Sequence, residues 1–85
     1  MNFRFSKHAE SELISRKIPR EFVENILRQP QQIVLERPPK KSYQSKVDFG
    51  GGRIFLLRVI VDDTIEPAIV VTLYRTKKIN KYWKP

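Results

Sequence analysis

Cysteine is absent from this sequence, and histidine, tryptophan and methionine occur once each. Without cysteine the chain can form no disulfide, no thiol nucleophile and no cysteine-ligated zinc site, and its composition is typical of a reducing compartment. No apolar run approaches the roughly 20 residues that cross a bilayer, and residues 1–6 carry no signal-peptide pattern. We therefore expect a soluble protein of the cytoplasm that has no membrane partner.

Acidic residues are scarce as well. The chain has 9 aspartates and glutamates against 17 lysines and arginines, a formal net charge of +8. The excess lies in the second half, because residues 37–58 contain six basic residues and one acid, and residues 75–85 contain five basic residues and no acid. Concentrated positive charge on a small domain favours polyanions, with nucleic acid ahead of anionic membranes. A basic protein without such a partner is the plainer alternative.

Two helices are predicted in the first third of the chain. Ser6 is a good N-cap for a first helix that ends near Arg16 and Lys17. A second helix begins after Pro19 and ends at about Arg28. The apolar positions expected to face the core are Ala9, Leu13, Ile14, Phe22, Val23, Ile26 and Leu27.

Beyond residue 30 the pattern changes to the two-residue period of strands, with runs at residues 32–37, 42–49, 53–61 and 68–75. Gly50–Gly52 predicts a tight hairpin between the second and third runs. One small domain over residues 1–85 is therefore expected to be α+β, with two N-terminal helices packed on one face of a four-stranded antiparallel β-meander. Residues 3–5 are an apolar lead-in with at most an extra edge contact. Residues 76–85 either form one helical turn or lie across the sheet.

The third run, residues 53–61, is the most apolar and is predicted to be the central strand. Because side chains alternate along a strand, one face carries only apolar residues: Phe55, Leu57, Val59 and Val61. The other face carries Arg58 at its centre, with Lys46 as the expected neighbour on the preceding strand. A guanidinium cannot stay unpaired in a core. Since two helices cover only one face of the sheet, we expect Arg58 to lie at the centre of an open face.

RNA can be cleaved without a metal ion, because its 2′-hydroxyl attacks the adjacent phosphate. The protein must supply a base, cations for the charged transition state and an acid for the leaving oxygen. One histidine and scattered acids predict no metal site, and no cofactor-binding motif is present. We therefore predict a metal-free and cofactor-free site whose catalytic residues are Arg58, His8, Tyr74 and Lys46. The residues predicted to bind RNA are Arg75, Thr72, Lys77, Lys78, Lys81, Tyr82 and Trp83.

Each of these residues also has a plainer interpretation. His8 fits an exposed position in the first turn of a helix, Lys46 and the tail lysines fit a solvated surface, and the aromatic residues of the tail fit packing against the sheet. A binding module needs only the cations and the aromatic residues, whereas cleavage also needs a base and an acid near Arg58.

Three segments carry a resemblance to a bacterial family. They are F-S-K-H-A at residues 5–9, R-K-I-P-x-E-F-V at residues 16–23 and V-V-T-L-Y-R at residues 70–75. On these segments the chain resembles the family called domain of unknown function 4258, which is related in fold to RelE-, ParE- and BrnT-like toxins. The matching positions are His8, Arg16, Lys17, Ile18, Arg58, Thr72, Tyr74 and Arg75. Glu12 departs from the family pattern, which usually has a basic residue there.

The resemblance implies an αα-ββββ domain. From RelE-like members it also implies cleavage of mRNA, free or bound to ribosomes, held in check by a cognate acidic antitoxin protein. We therefore predict a toxin of a toxin–antitoxin pair that acts as a metal-independent endoribonuclease. The alternatives are a non-catalytic module of the same fold that binds nucleic acid or an acidic protein segment, and a ParE-like inhibitor of a protein target. Because one fold hosts several of these activities, the fold alone does not decide among them.

Overall fold

Five strands and three short helices are present in residues 2–85, the part of the chain that the computed structural model describes. The strands are β1 (Phe3–Phe5), β2 (Gln32–Leu35), β3 (Lys40–Asp48), β4 (Ile54–Asp62) and β5 (Ala68–Thr76). The helices are α1 (Lys7–Ser15), α2 (Arg20–Arg28) and α3 (Ile79–Tyr82).

All five strands form one mixed sheet in the order β1-β5-β4-β3-β2. Neighbouring strands are antiparallel except β1, which pairs in parallel with β5 and sets Phe3 opposite Ala68 and Phe5 opposite Val70. The predicted four-stranded antiparallel meander is therefore wrong, because the lead-in segment is a strand of the sheet and α3 adds a third helix. The two phenylalanines of β1 are partly buried against the core. Burial of their rings stabilises β1 more than a strand of three residues would otherwise be stabilised.

Local sequence signals set the bounds of the two longer helices. The hydroxyl oxygen of Ser6 accepts a hydrogen bond from the amide of Ala9 at 3.0 Å, so the predicted N-cap is confirmed. Pro19 is the N-cap of α2 and Arg28 is its last residue, as predicted. Ile14 is exposed, so its predicted position in the core is wrong. Across residues 2–85, no helix combines the length and the apolar character that crossing a membrane demands.

The core lies between α1, α2 and one face of the sheet, which we call the helix face. Its buried members include Ala9, Leu13, Val23, Ile26, Leu57, Val59 and Val61. The predicted apolar face of β4 is therefore confirmed. The hairpin from β3 to β4 turns at Gly50–Gly52, where all three residues have a positive φ that glycine adopts without steric cost.

The opposite face of the sheet, which we call the Arg58 face, is covered at its centre. Leu56 is 0 % exposed and Arg58 is 2 % exposed. The last part of the chain, residues 77–85, which we call the tail, covers Arg58 with the ring of Tyr82. Tyr82 and Trp83 of the tail are half-buried, and the carbonyl of Tyr82 accepts a hydrogen bond from the side chain of Gln44. The prediction of an open face is therefore wrong. Both arrangements that the sequence allowed for the tail, a helical turn and a segment across the sheet, occur together.

Candidate functional site

Arg58 is a buried cation at the centre of β4, and side chains on both sides of the strand satisfy it. Its Nε donates to Oε1 of Gln44 at 2.8 Å, its Nη1 to the hydroxyl of Tyr74 at 2.7 Å and its Nη2 to Oε2 of Glu36 at 2.8 Å. Burial lowers the pKa of Arg58, but the hydrogen bonds to Tyr74 and Glu36 raise it by more. The guanidinium is therefore always charged and is held in one orientation.

The tail covers the guanidinium of Arg58. The centre of the Tyr82 ring lies 4.2 Å from the guanidinium carbon of Arg58, which is a cation–π contact. The side-chain amide of Gln44 donates to the carbonyl of Tyr82 at 3.1 Å, and the side chain of Gln32 exchanges hydrogen bonds with the backbone of Lys84. We call the group around the guanidinium the Arg58 cluster: Glu36, Gln44, Arg58, Tyr74 and Tyr82.

The two tyrosines of the Arg58 cluster differ in acidity. Their ring centres are 6.3 Å apart in an edge-to-face arrangement. Burial raises the pKa of Tyr74 by more than the hydrogen bond from Arg58 lowers it. The hydroxyl of Tyr74 and the ammonium group of Lys81 lower the pKa of Tyr82. Neighbouring groups whose surroundings separate their pKa values are typical of acid–base pairs in enzymes.

Exposed cations surround the Arg58 cluster. Lys46 projects from β3 on the same face, and its Nζ lies 4.1 Å from the centre of the Trp83 ring. The Nζ of Lys81 lies 5.2 Å from the centre of the Tyr82 ring. Thr72 is half-buried on β5, also on this face. Cations beside aromatic rings suit a phosphodiester whose bases stack on those rings.

His8 is not part of this arrangement. It is exposed on α1, where its Nε2 lies 3.6 Å from Oε1 of Glu12. Because α1 buries Ala9 and Leu13 in the core on the helix face, the sheet separates His8 from Arg58. The structure therefore does not bring the predicted histidine to the other predicted catalytic residues.

Arg75 also lies away from the cluster, on the helix face. Its guanidinium carbon is 4.5 Å from the ring centre of Phe49 and 4.8 Å from that of Phe55. The Nζ of Lys77 approaches the ring of Phe55 as well, at 5.4 Å, and Lys78 is exposed at the start of the tail. Arg75 and Lys77 form a separate basic patch beside Phe55, so the predicted RNA-binding residues divide between two surfaces.

The sequence did not single out Gln44 or Glu36, and both complete the cluster. Gln44 is 0 % exposed and stands opposite Arg58, whereas Lys46, the expected neighbour, stands opposite Leu56. Counting outward from the glycine turn pairs Gln44 with Arg58. The position of the turn in the sequence was therefore enough to predict that Gln44 lies beside Arg58. Glu36 follows β2, whose register against β3 depends on contacts that a single sequence does not reveal.

Residues 2–85 contain no group of three or more histidine, cysteine, aspartate or glutamate side chains that could hold a metal ion. A cavity of about 740 Å³ lies between α2 and β3, whereas the Arg58 cluster is a covered surface. The chemistry available at this surface is anion binding by lysines, stacking of bases on aromatic rings and proton exchange through two phenols.

A family model described as a domain of unknown function (DUF4258) matches residues 5–75 of the chain. No curated protein and no solved structure matches the chain. The matched segment contains Arg58 and Tyr74 but ends before the tail that carries Tyr82. The family description names no activity.

Proposed function

We propose that this chain, which belongs to the DUF4258 family, a domain of unknown function, is a metal-independent endoribonuclease that acts on mRNA. The proposal is based on the Arg58 cluster. One observation carries the proposal. Two phenols lie side by side on one guanidinium: the hydroxyl of Tyr74 accepts a hydrogen bond from Arg58 at 2.7 Å, the ring of Tyr82 lies 4.2 Å from the guanidinium carbon, and the two ring centres are 6.3 Å apart. Burial raises the pKa of Tyr74, and the neighbours of Tyr82 lower the pKa of Tyr82. A base and an acid beside a fixed cation are what the cleavage requires beyond simple binding.

The proposed step is transfer of the phosphoryl group to the 2′-oxygen of the same nucleotide. Tyr82, as its phenolate, takes the proton of the 2′-hydroxyl while that oxygen forms a bond to phosphorus. The bond from phosphorus to the 5′-oxygen of the next nucleotide breaks, and the phenol of Tyr74 supplies the proton to that leaving oxygen. Lys46 and Lys81 stabilise the charge on the other phosphate oxygens. The products are a 2′,3′-cyclic phosphate and a 5′-hydroxyl end.

Arg58 acts as a positioning residue in this proposal. It is 2 % exposed, and Gln44, Tyr74 and Glu36 occupy its three nitrogens. Its charge and its hydrogen bond hold the hydroxyl of Tyr74, and its stacking holds the ring of Tyr82. The net charge of +8 supports a polyanionic substrate.

The biological role we propose is that of a toxin, on the expectation that the DUF4258 family is related in fold to RelE-, ParE- and BrnT-like toxins. Inducible expression should then arrest growth, and an acidic antitoxin protein should restore it. RNA ends mapped after induction should carry the products named above. Growth that is unchanged by expression of a folded protein would contradict the toxin role but would not bear on the proposed RNA cleavage.

The chemistry is tested with the purified chain, single-stranded RNA and a chelator of divalent ions. Cleavage should persist with the chelator present and should stop when the RNA is replaced by the same sequence with 2′-deoxyribose. Tyr82→Phe should lower the rate by about 10²-fold. Tyr43→Phe is the matched control, because Tyr43 lies on the helix face and its substitution should leave the rate unchanged. RNA that stays intact both free and on ribosomes contradicts the nuclease proposal.

A non-catalytic RNA-binding module is the second candidate, and the satisfied state of Arg58 favours it. A guanidinium that already donates hydrogen bonds to a carboxylate and two neutral partners gains little free energy from binding a phosphate. In that case RNA binds at Lys46, Lys81 and Trp83 without reaction. Binding that is lost in Lys46→Ala, with RNA recovered intact, supports the module over the enzyme.

A further inference from the structure

β2 is one edge of the sheet, and it presents its backbone to solvent. The amide of Glu36 donates to the carbonyl of Lys40 in β3. Since hydrogen bonding alternates along an antiparallel pair, Gln32 and Val34 direct their backbone groups toward β3. Ile33 and Leu35 therefore direct their N–H and C=O groups away from the sheet, where a further strand can pair with them.

The same two residues expose large apolar side chains. Ile33 is 52 % exposed and Leu35 is 78 % exposed. Proteins usually protect an edge by keeping it short or by placing there a proline, a lysine, a bulge or a covering segment. β2 has four residues, QIVL, and none of them is a proline or a lysine. The tail hydrogen-bonds to β2 at the side chain of Gln32, which lies on the Arg58 face, and Lys84 lines a pocket beside the strand. Within residues 2–85, the outward N–H and C=O groups of Ile33 and Leu35 have no neighbouring strand to pair with.

A cavity of about 650 Å³ opens beside this edge on the helix face. Its apolar wall consists of Phe3, Phe5, Leu27, Pro30, Ile33 and Tyr43. A strand added to β2 would point every second side chain toward the helix face. One such side chain therefore has an apolar cavity to enter, which is how strand addition acquires specificity.

The charges around β2 indicate what kind of segment fits. Arg28 lines the cavity together with one acid, Glu24, while Arg37 follows β2 and Lys84 lines a second pocket beside it. The acid that directly follows β2, Glu36, is already paired with Arg58. A second copy of the chain would bring another +8 of charge against the first, which disfavours pairing between copies. We propose that β2 binds an extended segment of a partner protein by strand addition, and that this segment alternates apolar with acidic residues.

The test uses the full chain and a displayed library of random peptides about ten residues long, the upper end of strand lengths. Selection should enrich peptides that alternate apolar and acidic residues. Their binding should weaken by about tenfold or more in Leu35→Lys. This loss cannot be electrostatic, because the added positive charge favours an acidic peptide. Ile14→Lys is the control, since Ile14 is 81 % exposed on α1 and undergoes the same change of charge.

A second measurement identifies the mode of binding. Hydrogen exchange of the Ile33 and Leu35 amides should slow when a selected peptide is bound. Leu35→Pro, which removes one outward N–H, should abolish binding while the fold persists. A library without enriched peptides, or peptides that bind Leu35→Lys as tightly as the wild type, overturns the proposal. A wild type that dimerises where Leu35→Lys stays monomeric overturns it in favour of pairing between copies. None of these measurements uses RNA, so the result is independent of the proposed nuclease activity.

Discussion

The guanidinium of Arg58 and the ring of Tyr82 are in contact at 4.2 Å, and a second connection runs through Gln44. The side chain of Gln44 accepts from Arg58 and donates to the carbonyl of Tyr82. The central strand and the tail are therefore joined by one polar network in which each member orients the next. A change at Arg58 is consequently expected to alter the tail as well as the strand.

Replacing Arg58 should destabilise the fold. Arg58→Met removes the charge, leaves Glu36 without its ion-pair partner and takes from the fully buried Gln44 one of the two hydrogen bonds that its side-chain oxygen accepts, which costs about 3 kcal/mol in the free energy of unfolding. Urea denaturation followed by circular dichroism measures this change. Arg4→Met is the matched control, because Arg4 is exposed on β1. Equal stability of the two variants would show that the Arg58 cluster contributes nothing net to folding.

Binding of RNA should depend on the lysines around the Arg58 cluster. Each of Lys46→Ala and Lys81→Ala should reduce the slope of log affinity against log salt concentration by about 0.7, the value for one phosphate contact to a single strand. Fluorescence anisotropy with labelled RNA over a range of salt concentrations gives the slope. Lys17→Ala, an exposed lysine after α1, should leave it unchanged. A fall of the same size in all three variants would point to diffuse electrostatic attraction.

The elements that the sequence predicted are those with local causes. Ser6 caps α1 through an amide three residues away, Pro19 starts α2, and three positive φ angles at Gly50–Gly52 turn the hairpin. Each signal acts over a few residues. The alternation along β4 is equally local, and it correctly assigned Leu57 and Val59 to the helix face.

What the sequence did not predict depends on contacts between distant segments. β1 has only three residues, too few for a periodic signal, and it is a strand because β5 lies beside it. The tail has no buried apolar stripe, so its position follows from Arg58, Gln44 and Gln32 rather than from its own pattern. A buried arginine could be inferred to need partners, but only the register of β3 and the course of the tail identify them.

The proposed acid–base pair predicts a particular pH dependence of RNA cleavage. The rate should rise with pH as Tyr82 loses its proton, with a midpoint below the ordinary value for tyrosine because its pKa is lowered by Tyr74 and Lys81. The rate should fall again above the ordinary pKa of tyrosine, where Tyr74 loses the proton that it donates to the leaving oxygen. Burial raises the pKa of Tyr74, so this fall comes at a higher pH than for an ordinary tyrosine. Tyr82→Phe should remove the rise, and Tyr74→Phe the fall. A profile that neither substitution changes would assign the proton transfers to other groups.

A separate polar cluster on the helix face predicts the behaviour of the fold in alkali. The hydroxyl of Tyr43 donates to Oδ2 of Asp63 at 2.8 Å, and Nζ of Lys41 lies 3.0 Å from the other carboxylate oxygen. Burial, followed by the hydrogen bond to Asp63, raises the pKa of Tyr43 from 10.0 to about 12. Tyr43 is 4 % exposed, so solvent screens these effects only weakly.

Between pH 10 and about 12 the unfolded chain releases the proton of Tyr43 while the folded chain retains it. The unfolded state is therefore favoured as the pH rises, and this one group should lower the free energy of unfolding by about 2–3 kcal/mol across the interval. Urea denaturation at a series of alkaline pH values measures the loss. Lysines titrate in the same range, so the difference between the wild type and Tyr43→Phe isolates the tyrosine. That difference should shrink as the pH rises, and a constant difference would mean that Tyr43 titrates alike in both states.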